Sequence, residues 1–121
     1  MVIRLRHVAT LAHTRLPHAQ LAYLSACRTA RNDSVDLIDE GIHLTSAFQL
    51  AGFPHVIGTL WPIFDATAVR VAKDFYTRLE SAPGMLDVNS SAQALHDSIQ
   101  DLRHRYLVRP SCWAAYIHAG A

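Results

Sequence analysis

The chain has 121 residues, of which half are apolar and 17% are charged, and its formal net charge is +1. That length allows one domain with a modest core, and the composition argues against a disordered tail or a coiled coil. The near-neutral charge provides no basic surface for a nucleic acid backbone or an anionic membrane. We therefore predict a single, folded domain over residues 1–121, with neither nucleic acid nor membrane among its partners.

The cellular compartment is predicted from what the sequence lacks. No apolar run reaches the ~20 residues that a membrane helix needs, and no secretory signal opens the chain. Two cysteines, Cys27 and Cys112, cannot form the disulfide framework of a small secreted domain. These features predict a cytoplasmic protein with reduced thiols.

The first half of the chain predicts two buried strands around one helix. After an N-terminal segment that we interpret as a short helix at 6–11, the apolar run at 20–26 is typical of a buried strand. A polar loop at 28–36 leads to a helix that begins near Asp39, with acidic residues in its first turn, and ends at Gly52. Residues 55–61 predict the second strand, closed by Pro62.

Two more helices and a strand are predicted in the second half. Asp65 is expected to cap a helix that runs to about Glu80, and Ser90 with Gln93 matches a capping box at the start of the next one. The apolar stripes of these helices are Val69, Ala72, Phe75, Tyr76 and Leu79, then Ala92, Leu95, Ile99, Leu102 and Tyr106. Residues 112–118 are expected to form the last strand.

This order of elements predicts an α/β layer fold with a parallel sheet of about three strands and flanking helices. A sheet this thin has edges that need covering. The chain is therefore expected to be part of a larger domain or to pair with a partner, and a homo-oligomer formed through an exposed sheet edge is one such arrangement.

Cys27 directly follows the first buried strand and precedes a polar loop. In parallel α/β sheets, functional groups gather at the carboxyl ends of the strands, where a thiol can be exposed and ionised. A free cysteine is more often a small buried hydrophobic residue, so its position alone leaves both interpretations open.

A series of short motifs gives Cys27 a context. The motifs are LSACRT at 24–29, DEGI at 39–42, AF at 47–48, LAG at 50–52, VIGTLWP at 56–62, Asp65, Phe75, Tyr76, Ala92, Ala94, Leu95 and CWAAY at 112–116. In this order and spacing they resemble the C-terminal half of the CHAT domain, over nearly all of residues 16–120. That caspase-like domain is related to caspases and separases and is often attached to tetratricopeptide repeats or another sensor domain.

The resemblance implies a cysteine endopeptidase fold with a His–Cys dyad, acting on peptides or proteins without a cofactor or metal. Cys27 matches the family nucleophile, whose thiolate forms a thioester with the scissile carbonyl, and its backbone N–H would stabilise the oxyanion. Asp65 falls where separases place a pocket carboxylate for a substrate Arg or Lys. Helix capping explains Asp65 equally well. Trp61 is a candidate for the same pocket, although an aromatic residue at a strand end is more often core.

The chain departs from the family in its histidines. The resemblance places the catalytic His in a His-Gly pair on an earlier strand, and no His-Gly pair occurs in this sequence. His13 and His18 precede Cys27, but Pro17 and His18 would lie near 20 Å from it, at the opposite end of a strand with a rise of ~3.3 Å per residue. A general base must come within ~3 Å of its proton. The other histidines lack metal-ligand spacing, and Cys112 is expected to be an inert core thiol.

Three hypotheses follow for the function of the chain. In the first, it is the nucleophile-bearing half of a CHAT peptidase, active only when joined to or complemented by the half that carries the His. In the second, it is a pseudo-enzyme that keeps the fold as an interaction or scaffold module. In the third, it is an incomplete gene product that dimerises to cover its sheet edge.

Overall fold

The computed structural model describes residues 2–5, 20–24, 36–61 and 63–120. In chain order the elements are β1 (Val2–Leu5), β2 (Leu21–Leu24), α1 (Asp36–Leu50), β3 (His55–Thr59), α2 (Asp65–Leu79), β4 (Glu80–Ala82), β5 (Met85–Leu86), α3 (Ser91–Arg105) and β6 (Tyr116–Gly120), with 3₁₀ turns at Val88–Ser90 and Pro110–Cys112.

The main sheet has the order β1-β2-β3-β6. β1, β2 and β3 are parallel, with Leu21 opposite both Val2 and His55. Strands occur in all three predicted regions, so the α/β fold is confirmed, and β1 adds a strand that the sequence did not predict. The helix predicted at 6–11 lies outside the described residues. β1 and β6 are the edges of the described sheet, and pairing of two copies through such an edge stays a prediction.

The direction of β6 differs from the predicted all-parallel sheet. β6 pairs antiparallel with β3, so that Tyr116 lies opposite Thr59 and Gly120 lies opposite His55. The reason is the crossover between them, which contains two helices, α2 and α3, instead of one. The second helix returns the chain to the carboxyl end of β3, and the last strand therefore runs backwards. It also begins four residues later than predicted, since residues 112–115 form turns.

The two faces of the sheet carry separate hydrophobic clusters, because successive strand residues point to opposite sides. On one face Tyr23 and Ile57 pack against α2 and α3 through Phe75 and Leu95, with Phe75 fully buried. On the other face Val56 packs with Phe48 of α1 and Phe53, which follows α1. Among the described residues, the larger cluster lies on the face toward α2 and α3. Burial of apolar surface therefore stabilises the fold more on that face.

The structure corrects three predictions about the helices. Phe64, not Asp65, is the N-cap of α2, and Asp65 is its first helical residue. Ser90 is the N-cap of α3, but its side chain donates to Asp87 instead of capping the helix, so the capping box does not form. Val69, predicted on the apolar face of α2, is 46% exposed, because the buried face consists of Ala68, Val71, Ala72, Phe75 and Leu79.

The short hairpin of β4 and β5 was not predicted, because all five of its residues are exposed and it has no buried pattern to reveal it. Within the described ranges, no helix has the length and apolarity required to cross a membrane.

Candidate active site

The candidate site lies at the carboxyl edge of the parallel strands. β2 and β3 run in the same direction in register, so Leu24 and Thr59, the last residues of these strands, both lie at this edge. Cys27 comes three residues after β2 and lies outside the described residues, as do His13 and His18. Trp61 and Asp65 follow β3 by two and six residues and are described.

Trp61 is half-buried and fixed in place by a distant part of the chain. Its indole Nε1 donates a hydrogen bond of 2.9 Å to the backbone carbonyl of Ser111. Next to it, the backbone N–H of Leu60 donates to the carbonyl of Ala115 at 2.8 Å. The indole therefore joins two segments of the chain that are 50 residues apart in the sequence.

Asp65 opens α2 with an exposed side chain. Its place in the first turn complements the positive end of the helix dipole. Among the described residues its carboxylate makes neither an ion pair nor a hydrogen bond. An exposed carboxylate of this kind is sterically open to a cationic side chain.

Residues 106–115, which we call the closing segment, complete this edge. The Nε1 of Trp113 donates a hydrogen bond of 3.2 Å to the carbonyl of Tyr106. The guanidinium of Arg103 lies 5.2 Å from the centre of the Trp113 ring. Cys112 is half-buried in the 3₁₀ turn of this segment, and the prediction that it is a core thiol in a strand is therefore wrong. The closing segment ends where β6 begins, so β6 anchors it to β3.

Among the described residues, no histidine makes a hydrogen bond or ion pair with Trp61 or Asp65. His43 and His96 have exposed side chains on helices. His104 lies near the end of α3, where its Nδ1 is 2.6 Å from the carbonyl oxygen of Gln100. His55 begins β3, four residues before its carboxyl end, which corresponds to about 13 Å at ~3.3 Å per residue. His118 lies opposite Ile57, two residues back from that end.

His55 and His118 meet at the other end of the sheet, which the sequence did not predict. Their ring centres are 5.6 Å apart, and the Nε2 of His118 shares a hydrogen bond of 3.1 Å with the Oγ of Ser91. His55 is only 4% exposed, and its Nδ1 is buried without a hydrogen-bond partner among the described residues. The available signal was a histidine that opens a fully buried strand.

An acidic and basic network joins α2 to α3 on the outer surface. Arg78 bonds the carboxylates of Asp74 and Asp101. Although burial raises it, the hydrogen bonds from Arg78 and Ser98 hold the pKa of Asp74 below its usual value. A shallow cleft of about 160 Å³ between the helices is lined by these carboxylates, Ser98, Arg70 and Arg105, with Val71 and Leu102. One guanidinium thus bonds both carboxylates, and the network is a helix-to-helix contact.

Metal ligation has no support in the described part of the chain, where no group of three or more His, Cys, Asp or Glu residues is arranged to hold an ion.

Comparison with known proteins gives one finding. The family model described as the CHAT domain matches residues 3–121. Searches of curated proteins and of solved structures found no significant match.

Proposed function

Because the chain belongs to the CHAT domain family, we propose that it carries the nucleophile of a cysteine endopeptidase and that this nucleophile is Cys27. The observation that supports this proposal is the parallel register of β2 and β3. This register brings the end of β2, three residues before Cys27, and the end of β3, before Trp61 and Asp65, to one edge of the sheet. Functional groups of parallel α/β sheets lie at that edge.

The reaction that these groups support is acyl transfer followed by hydrolysis. The Cys27 thiolate attacks the scissile carbonyl, so that an S–C bond forms, the amide C–N bond breaks, and the leaving amine takes a proton. Water then cleaves the thioester and releases the acid. Backbone N–H groups at the strand end would stabilise the oxyanion in both steps.

Asp65 and Trp61 are proposed to recognise the residue before the scissile bond. An exposed carboxylate that has no partner among the described residues can accept the planar guanidinium of a substrate Arg in a bidentate fashion. An indole held by Ser111 offers a flat wall for the aliphatic stem of the same side chain. The proposed preference is therefore cleavage after Arg or Lys.

The proton acceptor is proposed to come from a further segment or a partner, outside residues 1–121. No histidine of the sequence is followed by glycine, and His55 and His118 lie two or more residues back from the carboxyl end of β3. We expect the chain alone to have an unactivated thiol that titrates near ~8.5. A pseudo-peptidase that uses the same fold as a scaffold is the alternative.

The recognition step can be tested without the missing base. At pH 9 the Cys27 thiol is ionised on its own, so peptide acyloxymethyl ketones with Arg or with Asp before the reactive group will label it. We expect the Arg probe to label at least about tenfold faster, the equivalent of ~1.4 kcal/mol, and Asp65→Asn to remove the preference. Cys27→Ser should abolish labelling and Cys112→Ser should leave it unchanged.

Two results would count against the proposal. Equal labelling by the Arg and Asp probes would remove the assigned role of Asp65 and favour the scaffold alternative. A labelling rate that stays high down to pH 6 would show that a histidine of this chain activates Cys27, since only a paired thiol remains ionised there. That result would overturn the need for an external base.

A further inference from the structure

The pair of histidines at the amino end of β3 is held by three elements that are distant in sequence. His55 begins β3, His118 lies in β6, and Ser91 is the first residue of α3. Ser91 is completely buried, and its hydroxyl touches His118 Nε2 at 3.1 Å. The His55 ring lies 5.6 Å from that of His118, so the hydrogen bond from β6 to α3 is made by an imidazole that also contacts β3.

The surroundings of His118 disfavour a proton on the ring. Burial lowers the pKa of His118, and the charge of the neighbouring His55 lowers it further. Ser91 also belongs to the amino end of α3, where the helix dipole is positive and repels a cation. An imidazolium at this position would lose hydration and face positive charge on two sides.

Among the described residues, no carboxylate acts on His118 to offset that charge. Asp87, in the turn before α3, accepts hydrogen bonds from the backbone of Asn89 and the hydroxyl of Ser90. Glu80, directly after α2, accepts from the N–H of Gly84. On the opposite face of the sheet, the titratable side chain described on α1 is the exposed His43. Within the described ranges, His55 is the one charged group acting on His118.

β6 connects this pair of histidines to the candidate active site. The strand ends near His55 and begins directly after the closing segment, whose carbonyls at Ser111 and Ala115 accept hydrogen bonds from Trp61 and Leu60. If β6 detaches from β3, the closing segment loses its anchor. The carboxyl edge would then open although no group there titrates.

We propose that His118, with His55 and Ser91, is an acid-sensitive latch that holds β6 and the closing segment on the sheet at neutral pH and releases them when the ring is protonated. The latch is a property of the fold and does not depend on whether Cys27 is a nucleophile.

The direction of the effect follows from proton linkage. The pKa of His118 is lower in the folded chain than its usual 6.5, so the unfolded state binds more protons below that value. Stability is therefore fully present above about pH 6.5 and falls as the pH drops toward the folded pKa. The largest slope for one proton is about tenfold in the opening equilibrium per pH unit.

Both tryptophans of the chain report on the latch, because Trp61 bonds to the closing segment and Trp113 lies within it. We expect a change in tryptophan emission with a midpoint below pH 6.5. The backbone amides of residues 116–120 should lose hydrogen-exchange protection over the same range, after correction for the intrinsic rates. His118→Gln, which keeps a hydrogen-bonding group for Ser91, should remove both changes.

Matched variants make the test decisive. His96→Gln alters an exposed histidine of α3 and should leave the transition as it is in the unmodified chain. His55→Gln removes the repelling charge and brings the pKa of His118 closer to its usual value, so it should weaken the acid-induced opening and move its midpoint to lower pH. A transition that persists in His118→Gln would overturn the latch. So would one that His96→Gln abolishes, or one that His55→Gln fails to move.

Discussion

The two ends of β3 are built in opposite ways. Its amino end begins with the buried His55, whose ring contacts that of His118, and His118 in turn shares a hydrogen bond with Ser91. Its carboxyl end leads to the half-buried Trp61 and the exposed Asp65, and hydrogen bonds to backbone carbonyls hold the closing segment beside it. One end of the strand is a cluster of buried polar side chains, and the other end has exposed side chains.

The difference shows that a small sheet can hold buried polar contacts at one end and leave side chains accessible to a ligand at the other. At the amino end, the hydrogen bond between Ser91 and His118 joins α3 to β6. At the carboxyl end Asp65 is exposed, and hydrogen bonds from the Trp61 indole and the Leu60 backbone hold the two segments together. A ligand can therefore approach the carboxyl end without displacing the core.

The first prediction concerns the support that the two ends share. Phe75 is fully buried in the cluster between the sheet and the two helices, where it contacts Tyr23 and Tyr76. Phe75→Ala should lower the free energy of unfolding by about 3–5 kcal/mol and weaken both ends together. Urea unfolding measures this. Phe64→Ala, at a residue that is 58% exposed, is the control and should cost far less.

The second prediction separates the amino end from the rest of the fold. Gly120 has a φ of 137°, and a Cβ there would collide with the backbone carbonyl of Pro54. Gly120→Ala should therefore cost more than the roughly 1–3 kcal/mol of an unusual backbone conformation alone, and should loosen β6. Gly84, with a φ of 76° and open space around it, is the matched control. Equal losses of stability in the two variants would mean that the contact with Pro54 does not matter.

The third and smallest prediction addresses the carboxyl end. Trp61→Phe removes the bond to Ser111, a loss of about 1 kcal/mol for one hydrogen bond. It should also speed hydrogen exchange at the Leu60 amide, which bonds to Ala115. Trp113→Phe removes a bond inside the closing segment instead, to Tyr106, and should leave the Leu60 amide protected. Exchange measured by NMR distinguishes the two, and a protected Leu60 in Trp61→Phe would disprove the linkage.

Local patterns in the sequence predict most of the elements correctly. The apolar runs around Tyr23 and Ile57 become β2 and β3, because a strand buried on both faces needs apolar side chains throughout. The repeat that contains Phe75 and Leu79 becomes the buried face of α2, since every third or fourth residue lies on one side of a helix. Cap positions were less predictable: Ser90 bonds Asp87, and a motif alone does not select between two acceptors of similar reach.

The amino-acid sequence by itself determined the α/β fold, three of the four strands in the main sheet, the three helices and the family motifs, because each of these depends on neighbouring residues or on their order. Only the tertiary structure decided the direction of β6 and the meeting of His55, Ser91 and His118. Those features depend on how a crossover of two helices returns the chain to the sheet. Contacts among residues 55, 91 and 118 leave no periodicity in the sequence, since they arise from packing between elements and not within one.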